Sequence, residues 1–241
     1  MLVAECTSTN DLAATQADQG APNGFTVIAE RQTAGRGREG RQWFSPDGGI
    51  WMTTLIRPGR LDEVSALPIT AAIATSTATN HVCKVQSRVR WPNDIMLNER
   101  KVAGVIVEAK TKGPNLVHAL IGTGLNANFQ FSRIDPIHDR AISLLDVLGT
   151  DISREKLIAS ILNEMEGLYN TLTSGATETI LSLLNQNDWS IGRHVRVKTG
   201  SNEVVGVVDG YESLSKTRIR TPKGFEIIET SSVVSVEYES N

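Results

Sequence analysis

Gln32-Thr33-Ala34-Gly35-Arg36-Gly37-Arg38-Glu39-Gly40-Arg41-Gln42-Trp43-Phe44-Ser45-Pro46-Asp47-Gly48-Gly49 is the stretch on which the fold assignment turns. Three arginines alternate with glycines, and an aromatic pair follows. Glycine lets the backbone bend and lets a ligand come close. Arginine carries a permanent planar cation that grips carboxylates and phosphates through a bidentate fork. The stretch is therefore expected to be a mobile loop that closes over an anion. Gly35, Gly37 and Gly40 also spell G-x-G-x-x-G behind a strand-like run, Phe25 to Glu30. The dinucleotide fingerprint needs a helix to open directly after the glycines, so that its positive end meets pyrophosphate. Pro46 and the Gly48-Gly49 pair stop any such helix, which argues against a Rossmann fold.

Upstream of the loop, Ser8-Thr9-Asn10-Asp11 is a helix-start signal followed by Leu12, Ala13, Ala14 and Ala17. Downstream, Ile50 to Arg57 reads as a strand, and Leu61 to Val82 as a buried helix that Pro68 either opens or kinks. Val85 to Trp91 reads as a strand broken by Pro92-Asn93-Asp94. Ile95-Met96-Leu97 and Val102 to Glu108 form a strand pair around a polar turn, Asn98 to Lys101. Leu116 to Asn128 carries Gly122 and Gly124 on alternate positions, and so on one face of a strand. A strand gains nothing from glycine unless a ligand or another backbone must come close. Ala141 to Leu148, Arg154 to Thr173 and Ala176 to Asn187 have helical periodicity. After Trp189 come five short strand-like runs at turn-length spacing, a pattern for a small β-barrel of about fifty residues. Gly210 to Thr217 nearly spells a P-loop, but Ser215 replaces the required glycine and no helix follows.

The 241 residues are 40% hydrophobic and 21% charged, ordinary for a soluble globular chain of one large domain, or a large and a small one. The net charge of -3 gives no global field for nucleic acid, so the positive charge around Arg36 favours a small anion. Cys6 and Cys83 show no metal or redox spacing and read as reduced thiols of a cytoplasmic protein. The N-terminus lacks the regions of a signal peptide, and no apolar run is long enough to span a bilayer.

Three further polar groups accompany the loop: Ser8-Thr9-Asn10; Arg90-Trp91-Pro92-Asn93-Asp94 with Lys101; and Gly122-x-Gly124-x-Asn126. Singly, each has an ordinary explanation in capping, turns or solvated lysine. Their order and spelling together are more specific. With the pattern Gln32-x-x-Gly35-Arg36-Gly37-Arg38-x-Gly40-Arg41-x-Trp43-x-Ser45-Pro46-x-Gly48-Gly49 and Lys101-x-Ala103-Gly104-x-x-x-Glu108, the chain resembles the biotin–protein ligase family from about Thr7 to Asn128. The resemblance continues more weakly through the helices and into the C-terminal strands.

The resemblance implies an α+β fold: a mixed, largely antiparallel sheet with packed helices, like class II synthetases, over 1–188, and an SH3-like β-barrel over 189–241. It implies two steps. Biotin's carboxylate attacks the α-phosphate of ATP, and an acceptor lysine then attacks biotinyl-5'-adenylate. The first step brings two anions together, and Arg36, Arg38 and Lys101 have the chemistry to sit between them. Ser8, Thr9, Asn10 and Gln32 are implied for the ureido ring. Gly35, Gly37, Gly104, Gly122 and Gly124 are implied to leave room and backbone groups for biotin. Arg41, Trp43, Asn93 and Asn126 are implied around the adenylate. Asp94 is a candidate to orient or deprotonate the acceptor lysine. Mg²⁺ is expected with ATP, without a legible set of protein ligands. The implied partner is a biotin carboxyl carrier domain.

Arg90 stands where the family often has lysine, and Ser231-Ser232-Val233 where a Gly-acidic-Val turn is common. Asp209 to Leu214 also lacks a usual glycine. Because Glu5 to Ser8 already belongs to the catalytic domain, a ligase without operator binding is expected, in the cytoplasm and away from membranes. Exposed sheet edges make a homodimer conceivable. The competing readings are a lipoate–protein ligase, a biotin-binding protein without catalysis, and an Arg-Gly nucleic-acid binder. The last lacks an adjoining aromatic sheet.

Overall fold

The computed structural model describes residues 1–131, 140–200 and 202–239. Its larger sheet has seven strands in the order β1-β2-β3-β7-β6-β5-β4. These are β1 (Leu2–Cys6), β2 (Thr26–Gln32), β3 (Ile50–Ile56), β4 (Arg88–Arg90), β5 (Asp94–Leu97), β6 (Arg100–Lys112) and β7 (Asn115–Leu125). Only β1 and β2 pair in parallel. The connection between them is α1 (Thr9–Asp18), whose N-cap is Ser8.

Helix α1 packs Ala13 and Ala17 on one face of the sheet, against Val27, Leu55 and Leu120. The opposite face carries α2 (Leu61–Cys83), α4 (Arg154–Thr173) and α5 (Thr177–Asn187), which bury the main apolar core. Strand alternation sorts side chains between the two faces. Ile121 and Leu125 of β7 go to the helical core, while Gly122 and Gly124 lie on the α1 face. The short α3 (Leu144–Leu148) opens with a capping box between Ser143 and Asp146.

The C-terminal sheet is antiparallel, in the order β11-β10-β9-β8-β12. Its strands are β8 (His194–Thr199), β9 (Asn202–Ser213), β10 (Lys216–Thr221), β11 (Gly224–Glu229) and β12 (Val233–Tyr238). Val195, Val197, Val208, Ile219, Ile228 and Val233, drawn from all five strands, share one core. A sheet whose strands all feed one cluster is curled around it. Trp91, from the loop after β4, is part of that core and ties the two sheets together. Among the described residues, no helix is long and apolar enough to cross a membrane.

Three sequence expectations change. Val85 to Trp91 contributes strand only at Arg88–Arg90, because Lys84 ends α2 in the left-handed conformation and the next residues are spent leaving the helix. Helix α3 begins at Leu144, not Ala141, which instead bridges to Lys101. Lys101 lies within β6; the turn is only Asn98-Glu99, both at positive φ, which suits the twist of a tight hairpin.

Candidate active site

The site is built on the α1 face of the sheet. One row of cross-strand neighbours runs Trp51, Gly124, Gly104, Asp94, Arg90 through five strands. Beside it, Thr53, Gly122 and Ile106 form a second row. The paired glycines make a floor without side chains. The ring of Trp43 rests on it: a Cβ on Gly124 would lie 2.6 Å from Trp43 Nε1, and one on Gly104 would lie 3.1 Å from the ring. A Cβ on Gly122 would lie 2.6 Å from Asn10 Oδ1.

Lys101 reaches this face through a register shift. Asp94 pairs with Gly104 and Ile95 with Ala103, but Met96 pairs with Lys101, so β6 carries one extra residue, Val102. Unbroken alternation from Gly104 would send Lys101 toward the helical core and Val102 into the site. The bulge reverses that assignment. Lys101 Nζ lies 2.5 Å from Asp94 Oδ1 and 4.8 Å from the centre of the Trp43 ring. Arg90 Nη2 lies 2.5 Å from the other Asp94 oxygen. Burial pushes the Asp94 carboxyl up, but Lys101 and Arg90 outweigh it and hold the group below the usual carboxylate range. A carboxylate so held is a weak base and a strong orienting charge.

The Arg-Gly loop lies folded on this floor. Gln32 bridges to Ser45 and Arg36 to Gln42, with a tight turn at Arg38–Gly40 between them. Gly37 N donates to Arg41 O (2.7 Å) and Trp43 N to the carbonyl of buried Gly35 (2.8 Å). Arg36 grips Asp11 with both terminal nitrogens, at 2.9 and 2.7 Å, and lies 3.6 Å from Glu108. The hydrogen bonds from Arg36 hold Asp11 below its ordinary pKa, and the same bonds raise that of Arg36. Arg38 donates to Asn93 Oδ1 (3.4 Å) and to the Val233 carbonyl, so the loop reaches the C-terminal sheet. Burial lowers the Arg38 pKa, which Glu39 and Asp94 counter.

At the α1 end, Thr9 donates to Gln32 Oε1 from its amide (2.8 Å) and hydroxyl (3.0 Å), while Gln32 Nε2 donates to Ser45 Oγ (2.9 Å). Thr53 Oγ1 lies 2.8 Å from Thr9 Oγ1 and 2.5 Å from Asn10 Oδ1. The amide of Asn10 is thereby oriented, and among the described residues its buried Nδ2 finds no acceptor. Trp43 Nε1 is likewise buried without one. Polar groups are seldom buried unpaired, so two such donors in one cavity mark a ligand surface.

Of the residues to which the resemblance gives a role in catalysis or binding, all except Gly35 line one cavity of about 1630 Å³: Ser8, Thr9, Asn10, Gln32, Arg36, Gly37, Arg38, Arg41, Trp43, Asn93, Asp94, Lys101, Gly104, Gly122, Gly124 and Asn126. Ordinary ligand pockets span roughly 300–1,000 Å³, so there is room for more than one small substrate. Two of these side chains are largely committed to the fold. Asn93 Nδ2 donates to Val105 O (2.5 Å), and Asn126 Nδ2 donates to Ile142 O (3.1 Å). Sequence reasoning missed Thr53 and Asp11. Alternation could place Thr53 on one face, but only the strand order reveals Gly122 as its neighbour. Among the described residues, no cluster of three His, Cys, Asp or Glu side chains is arranged to hold a metal.

Residues 3–126 match the family model described as "Biotin/lipoate A/B protein ligase family". The chain belongs to that family. It is 31% identical over 229 residues to the bifunctional ligase/repressor BirA of Bacillus subtilis, covering 94% of this chain and 70% of the relative. It is 30% identical to the biotin--[acetyl-CoA-carboxylase] ligase of Mycobacterium tuberculosis, covering 86% of this chain and 77% of that one. The solved structure of the Aquifex aeolicus biotin protein ligase in complex with biotin and ATP superposes with a TM-score of 0.87 at 25% identity, over 99% of this chain and 98% of the other. In this family member, the Arg-Gly loop, the bulged lysine strand and the glycine floor occupy one cavity.

Proposed function

We propose that the chain is an ATP-dependent biotin–protein ligase that activates biotin as biotinyl-5'-AMP and transfers it to a lysine of a carrier domain. The enzyme class and its substrates, biotin and ATP, rest on the family membership and on the relatives. The observation that carries the assignment of roles is the bulge that sets the Lys101 ammonium at the glycine floor beneath Trp43.

In this reading, Ser8, Thr9 and Asn10 meet the ureido ring, with the free Asn10 Nδ2 as a donor to its carbonyl and Gln32 holding Thr9 in place. Gly122 leaves space beside Asn10 for the slim bicycle, and Gly124 and Gly104 extend that space once the Trp43 ring, which rests on them in this structure, lifts to cover the adenylate. Biotin's carboxylate oxygen attacks the α-phosphorus of the MgATP substrate and pyrophosphate leaves. Lys101, with Arg36 and Arg38 from the loop, offsets the repulsion between the two anions. Arg41 and Trp43 cover the adenylate and exclude water from the anhydride. The neutral acceptor amine then attacks the acyl carbon and AMP leaves. Asp94 orients that amine. Asn93 and Asn126 act mainly by shaping the nucleotide end of the cavity.

The acceptor we propose is the biotin carrier of a carboxylase, as the relatives' name biotin--[acetyl-CoA-carboxylase] ligase suggests. Two free thiols, Cys6 and Cys83, support a reducing, cytoplasmic setting. The separate core of the C-terminal sheet supports a division near residue 188. DNA binding and a stable homodimer form no part of the proposal. The test is ATP–pyrophosphate exchange with biotin or with lipoate, followed by covalent labelling of a carrier domain. Exchange stimulated by lipoate and not by biotin would reverse the assignment.

A further inference from the structure

The surroundings of Arg90 give it a specific task. Its guanidinium carbon lies 5.7 Å from the ring centres of both Trp189 and Tyr238, which meet edge to face at 5.1 Å. Both rings are fixed in turn. Trp189 Nε1 donates to Glu99 (3.0 Å), and Arg193 stacks on the same ring at 3.6 Å while pairing with Glu99 at 2.8 Å. Tyr238 Oη donates to Trp91 O (2.9 Å) or Ser190 Oγ (3.0 Å). From this aromatic corner, Arg90 reaches one oxygen of Asp94, whose other oxygen holds Lys101.

We propose that Arg90 is a positioning residue for the adenylating centre: anchored by Trp189 and by Tyr238 of the C-terminal sheet, it fixes Asp94, and Asp94 fixes the Lys101 ammonium. The C-terminal sheet thus acts on the reaction through a chain of three charged side chains, without needing to touch the substrates. The chain is short and mostly desolvated, so a fraction of an ångström at Arg90 is passed on to Lys101. A misplacement of about 1 Å at a reacting centre costs on the order of 100-fold in rate. Among the described residues, the other groups facing Asp94 are Arg38 from the loop and the Tyr238 phenol from β12. Neither makes a hydrogen bond to its carboxylate that could replace Arg90.

The inference rests on the ligase reading, so the experiment separates the two. Biotin-dependent ATP–pyrophosphate exchange is measured across pH for wild type, Arg90→Gln and Arg90→Lys. Titration of the Asp94 carboxyl is followed by ¹³C NMR in the ligand-free proteins. Arg90→Gln is expected to lower kcat by about 10- to 100-fold, with KM for biotin little changed, and to move the Asp94 titration upward. Arg90→Lys restores the charge and is expected to return both toward wild type. Wild-type kcat in Arg90→Gln, an unmoved Asp94 titration, or equal loss in both variants would each overturn the inference. Wild-type protein without exchange would instead refute the ligase assignment, and the NMR titration would still decide whether Arg90 sets the charge of Asp94.

Discussion

Lys101 owes its place to a single extra residue in β6, and its chemistry to the carboxylate beside it. Lys101→Ala removes the cation proposed to offset phosphate–carboxylate repulsion while leaving the strand's backbone ladder intact. Adenylate formation is expected to fall by about 10²–10³-fold, by analogy with loss of one preorganised stabilising group. The midpoint of thermal unfolding should change little, and wild-type pyrophosphate exchange would exclude the role. Gly124 makes the opposite kind of prediction. A methyl group there would lie 2.6 Å from Trp43 Nε1, closer than real contacts allow, so the indole must lift from the floor. Gly124→Ala is expected to leave the fold standing and to speed loss of bound adenylate, measured as release of labelled intermediate in the absence of acceptor. Retention at the wild-type rate would show that neither the bicycle nor the indole depends on a bare floor at Gly124. At this scale the sequence was legible where spelling alone suffices, as with the glycines and the arginines. It was silent on Thr53, whose role exists only because β3 lies beside β7.

The Arg-Gly loop is an element whose closed form is held by few bonds. Its stem is fixed by the Thr33 and Ala34 amides, which donate to Cys6 O and Thr7 O, but beyond Gly35 it is tied to the body by side chains: the Arg36 grip on exposed Asp11 and the Arg38 bonds to Asn93 and the Val233 carbonyl. Surface ion pairs contribute about 0–1 kcal/mol each, so such a loop opens readily. The amides of Gly37 and Trp43, bonded to Arg41 O and Gly35 O, report on it directly. They should exchange with solvent quickly in the free protein and become at least ten times better protected when biotinyl-adenylate is bound. Equal protection in both states would contradict closure over the ligand. Long elements were legible before the structure: Arg154–Thr173 and the strands around the loop follow their periodicities. Strand β1 was not, because its Leu2 and Ala4 are exposed and nothing in five residues announces a partner. The β6 bulge was hidden for a different reason. Val102-Ala103 fits either face, and only pairing with β5 decides which residue is the extra one.

Over the whole molecule, the two sheets meet at a junction that no local pattern announces, since it joins residues about a hundred apart. Trp91 sits in the C-terminal core, with its amide bonded to Ser190 Oγ at 2.8 Å and its indole to Thr230 Oγ1 at 3.2 Å. Beside it, Asp188 accepts from Tyr211 Oη (2.6 Å) and from the Ile191 amide (2.7 Å). Burial pushes the Asp188 carboxyl up to about 6, against the hydrogen bonds that favour its charge. In the unfolded chain it titrates near its ordinary value of about 3.9. Between those values the folded state keeps a proton that the unfolded state has lost, so folding stability falls as pH rises from about 4 to about 6 and is constant on either side. The size of the effect is on the order of 3 kcal/mol. Asp188→Asn carries no such proton. The stability of wild type relative to this variant, from urea melts at steps between pH 4 and 7, should therefore decline across that window and level off above it. Because both proteins share every other titrating group, the difference isolates the junction. Parallel curves would mean that Asp188 is charged and well solvated at the seam between the sheets, and that the junction is looser than its hydrogen bonds imply.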